Sequence, residues 1–194
     1  MDKINSAYEK ALERFQQRKA VPQSEIDRLE YVPVGSAIAA SFLREKNYDI
    51  IAEIKKHPED LKKYILLGIQ ETLLKNILPP SDKTIQEKNY KAIEGIYQIK
   101  RDKQAINQTL SELDYLLKYY EQASTKAYSQ FKENFAARIN ARVQAMDKTA
   151  AGRMNIDPEK QPGFREEWMK VLNRLNAQYD QLLNEKKEIL RKLN

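Results

Sequence analysis

The 194-residue chain has no cysteine, which removes disulfides, thiolate nucleophiles and every zinc site built on cysteine ligands from consideration. It has a single histidine, His57. One histidine is too few for a His-His metal face or a pair of Glu-x-x-His di-iron motifs, and its place directly before Pro58 reads as a helix cap rather than as the base of a Ser-His-Asp triad. The five glycines stand apart at 35, 68, 95, 152 and 163, so no phosphate-cradling loop of the Walker or dinucleotide type can be written. No apolar run approaches the roughly 20 residues that span a bilayer. The opening MDKINSAYEKALERF has the pattern of an amphipathic helix, not of a charged cap before an apolar stretch. These absences lead us to expect a cytoplasmic chain with no cofactor, no metal and no membrane partner.

Charge is plentiful. Asp, Glu, Lys and Arg make up 32% of the residues, mean hydropathy is −0.75, and 34 basic against 28 acidic residues give a net charge of +6 and a pI near 9.2. That balance suits elongated helices with a large wetted surface. The basic excess is spread thinly; only Lys186, Lys187, Arg191 and Lys192 are locally basic. The carboxylates lie on helix faces open to water, and no pair stands out for acid-base work.

Apolar positions carry the strongest signal. From Ala92 through Ile96, Ile99, Lys103, Ile106, Leu110, Leu113, Leu117, Tyr120, Ser124 and Ala127 to Phe131 the spacing alternates between four and three, the seam of a helix made to lie along another helix. A second run, Trp168, Leu172, Leu175, Tyr179, Leu182, Lys186, Ile189 and Leu193, keeps the same rhythm. We expect an all-α fold: an N-terminal helical globule over 1–115, continuing through one very long helix into an antiparallel two-helix coiled-coil hairpin over 116–194.

Local signals fill in the elements. An amphipathic helix is expected over Lys3 to Arg18, then a short helix capped by Ser24 and ending near Glu30. Tyr31-Val32-Pro33-Val34-Gly35 reads as a loop, because Pro33 disfavours a helical Val32. Further helices are expected over Ser36–Lys46, Asp49–Lys56 and Pro58–Leu78, the last ended by Pro79-Pro80. One unbroken helix then extends from Asp82 to Lys148, and its Gly95 either stands level with Gly68 across the Pro80/Ser81 turn, letting the two backbones approach, or is, like Gly68, simply tolerated. Residues 149–163 are a loop, from which Phe164–Leu193 folds back. The expected pairs are Leu175 with Phe135, Tyr179 with Phe131, Leu182 with Tyr128, Leu193 with Leu117 and Lys186 with Ser124. Tyr97, Tyr115, Tyr119, Tyr120 and Tyr128 are read as core, each burying its ring and keeping its hydroxyl wet.

Two surfaces are candidates for interaction. Tyr31, Val32, Pro33 and Val34 either plug the core or form an apolar docking patch. Arg138, Arg142, Lys148 and Arg153 form a basic track near the hairpin tip, read either as solvated charge or as a phosphate contact. A pair of helices this long is under-packed alone, so a homodimer, or a complex with another protein, is expected. The function expected is that of a non-enzymatic scaffold or adaptor; the alternative is nucleic-acid binding through the basic tip and tail. A helix-turn-helix over Ser36–Lys56 is disfavoured because Ile50, Ile51 and Ile54 occupy the place of base-reading polar residues.

Overall fold

In the computed structural model, residues 21–146 and 157–193 are described. Among them the chain is all-α, with six α-helices, one short 3-10 turn and no strand. The helices are α1 (Gln23–Arg44), α2 (Ile50–Lys55), α3 (Lys62–Lys75), α4 (Lys83–Ile99), α5 (Lys103–Met146) and α6 (Phe164–Lys192); the 3-10 turn is Pro158–Lys160. The helix expected over 3–18 lies outside the described residues.

The segment 31–35 is helical, not a loop. Pro33 sits inside α1, which starts after Pro22 without a side-chain cap from Ser24. A proline here deprives the Leu29 carbonyl of its helical donor, but Leu29 is on the solvent-exposed first turns, where water can replace that donor. Ser36 Oγ also donates to the Val32 carbonyl at 3.2 Å. Tyr31 and Val34 pack against the core while Pro33 faces water, so the periodicity of the apolar side chains outweighed the proline.

Two glycines let α1 and α3 lie backbone to backbone. A Cβ on Gly68 would stand 2.1 Å from the Val32 carbonyl oxygen, and one on Gly35 would stand 2.0 Å from that of Ile65. The helices run in the same direction, since Phe42 and Leu73, further along each, converge on Gly95 of α4. The partner of Gly68 is therefore α1, and the expected pairing with Gly95 is corrected. The connection between α3 and α4 spans Asn76 to Asp82 instead of pivoting on Pro80/Ser81. It is fastened by Asn89, whose buried side chain accepts from the Leu78 N–H at 2.8 Å and donates to the Leu78 carbonyl at 2.6 Å. At the other end of α3, Leu61 and Lys62 donate to the Pro58 carbonyl, while the His57 N–H closes α2 on Ile54 and caps nothing.

The expected single helix from Asp82 to Lys148 is broken at Lys100–Asp102. Lys100 is extended (ψ 147°), and Asp102 caps the next helix by accepting from the Ala105 N–H at 3.1 Å. The chain folds back there because a straight helix would strand Ala92 and Ile96 away from Ile106, Leu110 and Leu113. Folded, all five are buried in one cluster. α5, with 44 residues, is about 66 Å long at 1.5 Å per residue.

α6 runs antiparallel to α5, but in a different register from the one the seam suggests. Phe164 meets Phe135 with ring centroids 5.1 Å apart, Trp168 meets Tyr128 at 5.0 Å, Tyr179 meets Tyr120 at 5.0 Å, and Lys186 pairs with Glu112 at 2.6 Å. Opposite Phe135, therefore, stands Phe164 rather than Leu175, a displacement of about three turns. The connecting segment explains it. Its last part is laid against α5, with Asp157 capping the 3-10 turn and Glu159 bound to Lys132 at 2.5 Å. Gly163, at φ 84°, then turns the chain into α6. Along α6 the buried stripe passes through Tyr179, Leu183, Lys187 and Leu190, leaving Leu182 and Ile189 exposed. A strict seven-residue repeat needs supercoiling to keep facing its partner; here the contact stripe moves one residue off it.

Candidate interaction surfaces

An aromatic cluster holds the far part of α5 to the start of α6. Tyr128, Phe131, Phe135, Phe164 and Trp168 meet at centroid separations of 5.0–6.2 Å, mostly edge-on or tilted, the arrangement that ring quadrupoles favour. The Tyr128 hydroxyl is hydrogen-bonded to Glu159, which raises its pKa together with burial and the nearby charge. Further along, the Tyr120 hydroxyl donates to Asn176 Oδ1 at 2.5 Å, and burial raises its pKa.

Of the proposed basic track, Arg138 and Arg142 are described; Lys148 and Arg153 lie outside the described residues. Arg138 is bound to Glu167 at 2.5 Å and lies 5.1 Å over the Phe135 ring. Arg142 is exposed, and with Ile139, Val143 and Pro162 it lines a recess of about 340 Å³ beside that pair. Half of the described track is thus neutralised by α6. The other candidate, Tyr31 to Val34, turns Tyr31 and Val34 toward the core and Pro33 outward.

A third surface lies outside both candidates. Tyr115 and Tyr119, expected in the core, are exposed, Tyr115 by 70%, and stack with centroids 6.2 Å apart and planes 11° from parallel. Tyr97 is exposed as well, with Lys103 over its ring at 4.2 Å, whereas Tyr120 is buried as expected and Tyr128 is half-buried. Tyr115 and Leu116 of α5 and Leu182 of α6, 45% exposed, form the walls of an apolar groove of about 460 Å³, closed at one side by the Glu112–Lys186 ion pair. Tyr119 reaches Tyr179 at 6.2 Å, which extends the aromatic surface along both helices, and Ile189 is exposed further along α6. The signal existed: Leu182 and Ile189 are seven apart, Tyr115 and Tyr119 four apart, so each pair shares a face. Spacing does not say which neighbour a face meets.

Arrangement and sequence together define an all-α helical protein whose exposed features are surfaces between helices. The chain belongs to a family of unknown function (DUF6657), whose pattern matches residues 51–192. That match takes in α3 to α6 whole and starts at the second residue of α2. No curated protein and no solved structure matches the chain. Among the described residues no group of three or more His, Asp or Glu side chains is placed to hold a metal ion, and no helix is long and apolar enough to cross a membrane.

Proposed function

We propose that the protein is a non-enzymatic helical scaffold or adaptor that associates with a second copy of itself through the α5–α6 face. The observation that carries this reading is the groove between Tyr115, Leu116 and Leu182, open along two helices that are otherwise well covered on their inner sides. Apolar residues at helical spacing on a wet surface are the pattern of a helix-in-groove or helix-to-helix contact. Tyrosine suits such a face, since its ring gives contact area at little entropic cost while the hydroxyl stays hydrated. The test is light scattering across a concentration series, on the native chain and on a Tyr115→Ser/Leu182→Ser variant. A dimer that the variant turns into a monomer supports the reading. A 22.7 kDa monomer at every concentration refutes it.

Nucleic-acid binding is the second reading, and it rests on Arg142 with the undescribed Lys148 and Arg153. Glu167 and Phe135 occupy Arg138, which weakens it. An affinity for DNA or RNA that falls linearly in log salt would revive it.

A further inference from the structure

Where the ends of α4 and α6 meet the side of α3, a cavity of about 440 Å³ is lined by Lys63, Leu66, Leu67 and Gln70 of α3, Ile99, Lys100 and Arg101 at the α4–α5 break, and Arg191 and Leu193 at the end of α6. Its size falls in the range of about 300–1,000 Å³ usual for small-molecule sites. Four side chains of the lining are cationic and none is acidic.

The cations are not equally satisfied. Arg191 is held by Glu71 at 2.7 Å and by Glu188. Lys63, Lys100 and Arg101 have no ion-pair partner within 4 Å among the described residues. Lys100 is the informative one. It is only 9% exposed, and the acceptor of its ammonium is the Leu193 backbone carbonyl. A buried charge is normally paired with an opposite one, and among the described residues a neutral carbonyl is all that meets this one. Burial correspondingly lowers the Lys100 pKa. Among the described residues, the negative charges beside the lining are already engaged: Glu71 and Glu188 by Arg191, and Glu59 by Lys62 at 2.5 Å with Arg101 in its field.

We propose that this cavity is a binding site for a small organic anion, with a phosphate or carboxylate head against Lys100, Arg101 and Lys63 and a short apolar body against Leu66, Leu67, Ile99 and Leu193. The head supplies an opposite charge for Lys100, and several cations lining one cavity favour a dianion over a monoanion. The apolar wall sets the second requirement, because an inorganic anion would leave it unfilled. The site is independent of self-association and lies apart from the Tyr115–Leu182 groove.

The experiment is isothermal titration of the full chain with octyl phosphate, octanoate, octanol and inorganic phosphate in parallel. Octyl phosphate binds with 1:1 stoichiometry, octanoate binds more weakly, and octanol and inorganic phosphate bind at least tenfold more weakly than octyl phosphate. Lys100→Gln/Arg101→Gln lowers the octyl phosphate affinity at least tenfold, while Lys75→Gln, on an exposed face of α3, leaves it unchanged. As a readout that does not depend on the variants folding, the Lys100 resonance in lysine-methylated protein shifts on titration with octyl phosphate, saturating with the calorimetric curve. Absence of saturable binding to both amphiphilic anions overturns the proposal. So does binding that the double variant retains in full, or an unmoved Lys100 resonance.

Discussion

Lys187 is a charge placed where the helix needs a methylene. It stands in the buried stripe of α6 between Leu183 and Leu190, is 8% exposed, and has no ion-pair partner within 4 Å among the described residues. Burial lowers its pKa; the nearby Asp180 opposes that shift and Arg191 adds to it. Long cationic side chains in such places bury the methylene stem and carry the ammonium toward water where they can. Replacing even a buried ion pair by apolar residues of similar volume is often neutral or stabilising by about 1–4 kcal/mol; for this single lysine we take the low end, so Lys187→Met is expected to gain about 1 kcal/mol. For a chain of this size that is a rise in Tm of about 2–4 °C.

The pH dependence fixes the cause. A lysine whose folded pKa is depressed binds fewer protons in the native than in the unfolded state between the two values, so native stability rises as pH climbs from the folded pKa toward the usual 10.5. The advantage of Lys187→Met over the native chain is therefore largest at neutral pH, and it shrinks as pH approaches 10.5. Urea unfolding followed by circular dichroism at a series of pH values measures it. A variant less stable than the native chain at pH 7, or a gain that does not change with pH, refutes the reasoning.

Other substitutions probe separate parts of the account. Gly68→Ala drives a methyl group into the Val32 carbonyl and is expected to cost at least about 3 kcal/mol as α1 and α3 separate. Gly95→Ala meets only the movable ends of Leu73 and Phe42, so its strain is offset by the roughly 1 kcal/mol gained in helix propensity; denaturant midpoints separate the two. Asn89→Ala strands the N–H and carbonyl of Leu78 and is expected to cost about 2–3 kcal/mol, read in the same melts. Phe164→Ala removes the ring that touches Tyr128, Phe131 and Phe135. It is expected to cost about 3–5 kcal/mol and to lower hydrogen-exchange protection in α5 beyond Tyr128 more than in α3 and α4.

Much of the helix content was legible because it rests on short-range spacing. Ile96, Ile106, Leu110, Leu113, Leu117 and Tyr120 all fall on the seam, and all are buried. What spacing could not carry was the choice of partner. Pro33 looked like a terminator because its cost is local, whereas the compensation, Tyr31 and Val34 packing against the core, is tertiary. The break at Lys100 was hidden because neither proline nor glycine marks it; only the burial gained by folding Ala92 and Ile96 onto Ile106 and Leu110 demands it. The register of α6 failed for a related reason: matching polar interruptions, Lys186 with Ser124, is weaker evidence than the anchored start of the helix at Gly163 and Phe164. Surfaces suffered most. Tyr115, Tyr119 and Leu182 carry the same apolar signature as core residues, and only the packed structure leaves them outside.

The central claim is the register that sets Lys186 beside Glu112 and so leaves the Tyr115–Leu182 face outward. The chain has no cysteine, so two introduced thiols report on it cleanly. Treated with a short bis-maleimide at low protein concentration, the Glu112→Cys/Lys186→Cys variant is predicted to cross-link within one chain, and the Ser124→Cys/Lys186→Cys variant is not. Cross-linking of the second pair in place of the first would contradict the account.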